Sequence, residues 1–294
     1  MKVSSIFKYI FIIFAVGIIA YAGYRIYNNQ NKEEENNQDS TTVVEENIIR
    51  DLRMGITNYD TMNPLITQNK DIINIDTLIY EPLFNLTKDY QLEPCLAKEC
   101  SKTGDKIYVV KTVSNAVWHD NTPLTAKDIA FTIEALKNKK TLYSKNVENI
   151  IKTEIIDKSI IKIYLDEPVA FFKYMLNFPI LASHAYNKQT LEAITKVPIG
   201  TGNYKIIQIA ENEIKLEKAN SEFQSKITDI NIKIYKSIKE VYSKFSKKEI
   251  DLITTQNIYY EDYIGSMGFN IEISKGRKFD YLAINKQKRE LQNK

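Results

Sequence analysis

Residues 117–131, Val-Trp-His-Asp-Asn-Thr-Pro-Leu-Thr-Ala-Lys-Asp-Ile-Ala-Phe, decide how the rest of this 294-residue chain is read. They spell a strand, a tight turn and a helix start. Val109 to Val117 carries the β-branched residues of a strand. Asp120, Asn121 and Pro123 supply the turn. Thr125 stands where an N-cap belongs, with Asp128 three residues on as its capping-box partner and Leu124 and Ile129 in the staple positions. Ala126, Ile129, Ala130, Ile133 and Leu136 then follow at helical spacing, which predicts one apolar helix face.

The same period and turn chemistry, carried outward, give mixed elements. Ile48 to Gly55 reads as a first strand and Asn58 to Pro64 as a polar turn. Residues 71–80 carry a helical stripe of Ile72, Ile75, Leu78 and Ile79. Lys106 to Val113 is a strand. Glu154–Ile156 and Ile160–Leu165 form a hairpin around Asp157-Lys158-Ser159. Pro168 is placed to open a short helix through Leu176. Tyr204–Ile209 and Glu213–Glu217 make another hairpin, Asp229–Tyr235 alternates as a strand, and Ser237–Lys248 is amphipathic. Ile250–Ile253 and Tyr281–Ile284 read as short strands. Strands interleaved with helices define an α/β class.

Tyr9 to Tyr24 holds no charge and is strongly apolar, flanked by Lys8 and Arg25. As a helix its sixteen residues span roughly 24 Å, against about 30 Å of hydrocarbon. Interfacial Tyr9, Tyr24 and Tyr27 and snorkelling Lys8 and Arg25 help to close the gap. Two readings of residues 1–27 stand: a retained membrane anchor, and a signal segment cleaved after Ala22 at Ala20-Tyr21-Ala22. The lysines on the short N-terminal side favour an anchor with the main domain outside the cytoplasm; cleavage would make the protein secreted. Residues 28–47 set one Lys against six Asp and Glu, without aromatics, and read as an acidic flexible linker.

Composition and side-chain chemistry exclude more than they assign. A formal net charge of +3, with Lys and Arg interspersed among Asp and Glu, gives no case for nucleic acid. Two cysteines, Cys95 and Cys100, and two histidines, His119 and His184, make a poor metal set; no metal or cofactor is expected. A local disulfide is compatible with export but not fixed by the spacing. Ser183-His184 lacks a nucleophile elbow, and Gly200-Thr201-Gly202 lacks the Gly-Lys-Ser/Thr ending of a phosphate loop, so a turn is the better reading and no enzyme is expected. Trp118 reads as a packing residue.

The segment from Trp118 to Ile129 also resembles the W-H-D-G-T-P-(L/F)-T-A-x-D-(V/I) signature of the family 5 extracellular solute-binding proteins. These are the oligopeptide, dipeptide and nickel receptors of ABC importers. Further pieces are similar to family elements, in order. Leu52-Arg53-Met54-Gly55 with Thr61-Met62-Asn63-Pro64 resembles the opening strand and its T-L-N-P turn, and Tyr80-Glu81-Pro82-Leu83 the Y-E-P-L element. Leu92-Glu93-Pro94 with Leu96-Ala97 resembles L-x-P-x-L-A-x-x-W, with Cys100 in place of the tryptophan. Pro198 to Tyr204 is similar to P-(V/I)-G-T-G-P-Y, with Asn203 replacing proline. Lys248-Glu249-Ile250-Asp251 and Tyr281-Leu282-Ala283-Ile284-Asn285 resemble G-E-I-D and Y-L-x-x-N.

The resemblance implies a type II periplasmic-binding-protein fold over residues 48–294. A first-lobe core would come from about 48–70 and 180–285, with an inserted subdomain at about 71–179. A second lobe would begin just after Asn285, so the chain is expected to be an N-terminal portion of such a receptor. The implied function is capture of an extracellular peptide ligand for ABC permease subunits in the membrane. The implied cleft-facing residues are Tyr59, Asn63, Tyr204, Tyr281 and Asn285, and the signature itself is expected to be structural, away from the ligand. A lone-lobe interaction or sensing module, or a non-functional remnant, is the alternative.

Overall fold

The computed structural model describes residues 51–138, 140–186, 198–254 and 270–272. The expected membrane segment at 1–27, the linker at 28–47 and the strand at Tyr281–Ile284 lie outside the described residues. Among those described, no helix is long and apolar enough to cross a membrane.

Two four-stranded sheets carry the fold. The first is built from β1 (Asp51–Thr57) and three late strands, β8 (Tyr204–Ala210), β9 (Glu213–Lys218) and β10 (Asp229–Tyr235), in the order β1-β10-β9-β8. Its β1–β10 pair is parallel, Leu52 facing Ile230 and Met54 facing Ile232, and its other pairs are antiparallel. The second sheet is wholly antiparallel. It comprises β4 (Ala97–Gly104), β5 (Ile107–Thr112), β6 (Ile150–Ile155) and β7 (Ile160–Leu165), in the order β4-β5-β7-β6. A small hairpin, β2 (Phe84–Leu86) with β3 (Leu92–Pro94), precedes it.

Alternation decides which face of each strand is inward. Ile161, Ile163 and Leu165 of β7 are buried, as are Ile214 and Leu216 of β9 and Ile230 and Ile232 of β10. These belong to one continuous apolar core that also takes the buried stripes of two helices. The first, α1 (Lys70–Ile79), buries Ile72, Ile75 and Ile79. The second, α2 (Ala126–Lys137), buries Ala126, Ile129, Ile133 and Leu136 and packs on β6 and β7. Short helices α3 (Ser144–Val147), α4 (Phe172–Met175) and α5 (Ser183–Tyr186) fill the edges, and α6 (Ile238–Ser246) lies on β1 and β10.

Three local expectations are corrected. The strand expected through Val117 stops at Thr112, where both neighbours run out: β4 begins at Ala97 opposite it and β7 gives way to the turn at Ser159, whose O takes the last N–H (2.9 Å). Val117 instead makes an isolated bridge to Pro123. The helix expected from Pro168 begins only at Phe172. Phe171 takes a left-handed φ of 59°, and Phe172 turns inward against Tyr108 with ring centroids 4.7 Å apart. The strand expected at Ile250–Ile253 is reduced to a bridge between Met54 and Leu252. There the backbone is held by Asp251, whose carboxylate takes both Nε (2.9 Å) and Nη2 (2.6 Å) of Arg53.

Candidate functional site

The loop between β1 and α1 is fixed from both ends. Asn58 adopts a left-handed φ of 57°, a conformation asparagine tolerates better than most residues. Asp60 then organises the turn. Its Oδ1 accepts from the Thr61 N–H (2.7 Å) and the Thr67 hydroxyl (2.8 Å), and its Oδ2 from the Gln68 N–H (2.8 Å). Burial pushes this carboxyl up, but those hydrogen bonds outweigh it and hold the group below its ordinary range. Asn69 caps α1 by accepting from the N–H groups of Asp71 (2.9 Å) and Ile72 (3.3 Å), and its own amide donates back to the carbonyls of Thr57 and Asn58.

Of the expected site residues, Tyr59 remains open on this loop, 37% exposed. Asn63 is 2% exposed; its Oδ1 accepts from the Leu65 N–H at 3.1 Å, so it shapes the loop from beneath. Tyr204 is also buried, and its hydroxyl donates to Ile227 O at 2.9 Å. The structure therefore does not bring Tyr204 to the Tyr59 loop through its polar end. Tyr281 and Asn285 lie outside the described residues. Sequence reasoning missed Asp76, on the buried face of α1, whose two carboxylate oxygens have no hydrogen-bond partner among the described residues. Burial, and then the Asp60 charge, push its carboxyl well above the ordinary range. Its helical spacing from Ile72 was the available signal.

The Trp-His-Asp signature is a rivet joining distant parts of the chain. Trp118 is 1% exposed and packs edge-on to His184, centroids 6.2 Å apart. His119 donates from Nε2 to Gly202 O (2.9 Å) and accepts at Nδ1 from the Gly200 N–H (3.2 Å), while its own N–H donates to Gly200 O (2.9 Å). These partners select the neutral Nε2–H tautomer. Burial agrees, pushing the imidazole below its usual range against the opposing pull of the Gly202 carbonyl. Asp120 Oδ2 meets His184 Nε2 at 2.9 Å.

The Gly-Thr-Gly loop, so held, lies directly on the end of α1. The Gly202 N–H donates to Ile79 O at 2.8 Å. A Cβ at Gly200 would stand 1.8 Å from Ile79 O, and one at Gly202 would stand 2.4 Å from Leu78 O. Close approach, not phosphate binding, is why the glycines are there. Asp128 completes the join. Its Oδ2 accepts from the Thr125 N–H (2.8 Å), the capping-box contact, and also from the Thr125 hydroxyl (3.2 Å), and its Oδ1 accepts from the N–H (2.8 Å) and hydroxyl (2.7 Å) of Ser183 on α5.

This rivet forms one wall of an open concavity of about 610 Å³, lined among others by Glu81, Cys95, Trp118, His119, Thr201 and Lys205. The signature is thus structural but not remote from a cavity. Cys95 and Cys100 are free thiols, so the disulfide that the sequence allowed is not made. Burial pushes Cys95 up to about 12 and Cys100 up to about 11, which leaves both protonated and poor nucleophiles at neutral pH.

A mixed sheet and an antiparallel sheet, joined through the signature and the Gly-Thr-Gly loop, define a two-sheet α/β unit. The chain belongs to the bacterial extracellular solute-binding proteins, family 5 Middle, whose model matches residues 91–294. Solved structures share its fold. NikZ from Campylobacter jejuni, in complex with Ni(L-His), is 24% identical with a TM-score of 0.61, over 69% of this chain and 43% of that one. CtaP from Listeria monocytogenes, an ABC transporter substrate-binding protein, is 25% identical with a TM-score of 0.59, over 68% and 43%. The oligopeptide-binding protein AppA from Bacillus subtilis, in complex with a nonapeptide, is 21% identical with a TM-score of 0.60, over 68% and 43%. The chain therefore spans less than half the length of these relatives.

Proposed function

We propose that this chain supplies the first lobe, with an inserted subdomain at about 71–179, of the substrate-binding component of an ABC importer that captures extracellular oligopeptides. The family match over residues 91–294 is the observation that carries the reading. The peptide would lie across the β1–α1 loop with Tyr59 against it, Asn63 shaping the loop below, and Tyr204, Tyr281 and Asn285 completing the same lobe. An extended ligand held through its main chain, with side chains in tolerant pockets, suits such a cleft. A second lobe would close over it by a hinge and present the closed form to the permease. Residues 1–27 would keep the protein at the outer face of the cell membrane as an anchor, or direct its secretion, and residues 28–47 would be the tether.

Uptake of a labelled oligopeptide by the parent cell tests this. Tyr59→Ala is expected to lower peptide uptake several-fold while free amino-acid uptake is unchanged; equal peptide uptake by the variant refutes the role given to the loop. Calorimetry tests the division of labour. The 294-residue chain is expected to give no measurable heat with an oligopeptide mixture, and tight binding would overturn the need for a second lobe.

A further inference from the structure

The concavity behind the signature has a chemistry of its own. Glu81 lines it half-buried, and among the described residues no cation stands within ion-pair distance of its carboxylate. Its neighbours are the Thr201 hydroxyl and the Cys95 thiol, the latter a long contact at 3.5 Å to Oε1. Lys205, on the same wall, is directed to Glu217 at 3.7 Å. Glu222 lines the wall as a second carboxylate with no ion pair among the described residues. Leu96, Val113 and Val117, the last 48% exposed, add apolar surface. A carboxylate drawn partly out of water, without a cation, lowers its free energy by taking a proton or a cationic donor.

We propose that this concavity binds a small solute carrying a primary ammonium group, with Glu81 as its counter-ion. An ammonium has three N–H donors and no acceptor, so it needs acceptors set close together. Glu81 offers two carboxylate oxygens, the Thr201 hydroxyl beside it offers a third acceptor, and the apolar wall takes the solute's hydrocarbon part. Other ligand classes fit worse. Two carboxylates repel an anion. A soft metal would need thiolate and free imidazole, but Cys95 stays protonated and both nitrogens of His119 are already engaged. The site shares no residue with the Tyr59 loop, so its occupancy is separate from capture of the transported ligand. An open concavity with one charged contact makes for weak binding, with Kd of about 1 mM, too weak to register in the peptide calorimetry.

Trp118 is the chain's single tryptophan and lines the concavity, so its emission reports occupancy. The whole chain is titrated with ethylammonium and with L-lysine, and with acetate and tetramethylammonium as comparators. The expected result at pH 8 is a saturable change with the first two and none with the comparators. Burial holds the Glu81 carboxyl above its ordinary range, so binding should be present above that pKa and vanish as pH falls through it. Glu81→Gln should weaken binding at least ~10-fold, the loss of one charge-assisted contact. If that variant does not fold, the pH profile of the natural protein decides. No saturable response to either ammonium, a response independent of pH, or an equal response to tetramethylammonium overturns the proposal.

Discussion

Replacing Asp76 with alanine should stabilise the protein, and increasingly so as pH rises. Asp76 is 4% exposed within α1, and neither carboxylate oxygen has a partner among the described residues. The groups whose electrostatic influence it shares are the Asp60 carboxylate and the phenols of Tyr59, Tyr80 and Tyr143, none of which is a cation. An unsatisfied buried polar group costs about 1–3 kcal/mol, and alanine is the better helix former by roughly 0.5 kcal/mol. Lost packing offsets part of this, leaving a gain of about 1–2 kcal/mol while Asp76 is neutral. The pH dependence follows from linkage. The folded pKa is raised, so the acid's contribution is most favourable below its unfolded value of about 3.9 and declines as pH rises towards the folded pKa. Between those two values the unfolded state has released the proton and the folded state has not. The gap between variant and natural protein should therefore widen by about 1.4 kcal/mol per pH unit, then level off above the folded pKa. Asp60 has the opposite sign: its lowered pKa contributes stability that is lost only as pH falls, and it is present in both proteins. Urea unfolding followed by Trp118 emission at half-unit steps from pH 4.5 to 8 measures the gap. A gap that stays constant over that range would refute the claim that Asp76 is buried as a neutral acid.

Two further variants probe the rivet. His119→Ala removes a donor to Gly202 O and an acceptor for the Gly200 N–H; at about 1 kcal/mol for each bond plus lost packing, urea unfolding should show a loss of about 2–3 kcal/mol, and a loss below ~0.5 kcal/mol would mean that the clamp holds nothing. Gly200→Ala puts a Cβ 1.8 Å from a backbone carbonyl that cannot swing away. It should cost ~3 kcal/mol or more, seen as loss of soluble protein or of cooperative melting by circular dichroism, and natural-like melting would contradict the packing of the Gly-Thr-Gly loop on α1.

The parts of this fold that were readable are those whose cause lies within a few residues. Hairpins declared themselves because their turns carry Asp157-Lys158-Ser159 and Ala210-Glu211-Asn212 between alternating strands, and both formed. The capping box at Thr125 was readable because its partner is three residues away. The second half of Asp128's role was not, since Ser183 lies 55 residues on. Likewise the His119 clamp spans 81–83 residues, and no periodicity or turn rule connects positions so far apart.

The same limit applies to the exposure of the expected site residues. Tyr59 and Tyr204 are alike as sequence, each a tyrosine beside a turn, and composition cannot tell an exposed ring from a buried one. What separates them is tertiary. Tyr204 finds an acceptor for its hydroxyl at Ile227 O, which lets a polar ring be buried at little cost. Around Tyr59, hydrogen bonds centred on Asp60 and Asn69 hold the loop backbone, and the Tyr59 phenol takes the Met62 N–H while the ring stays 37% exposed. Glu81 shows the converse. Its tetrapeptide marked a family, but only the structure puts a carboxylate with no ion pair among the described residues in one cavity wall with the signature and the Gly-Thr-Gly loop. A motif read along the chain names the segment that must be kept; the packing of two such segments against each other makes the cavity that a solute could use.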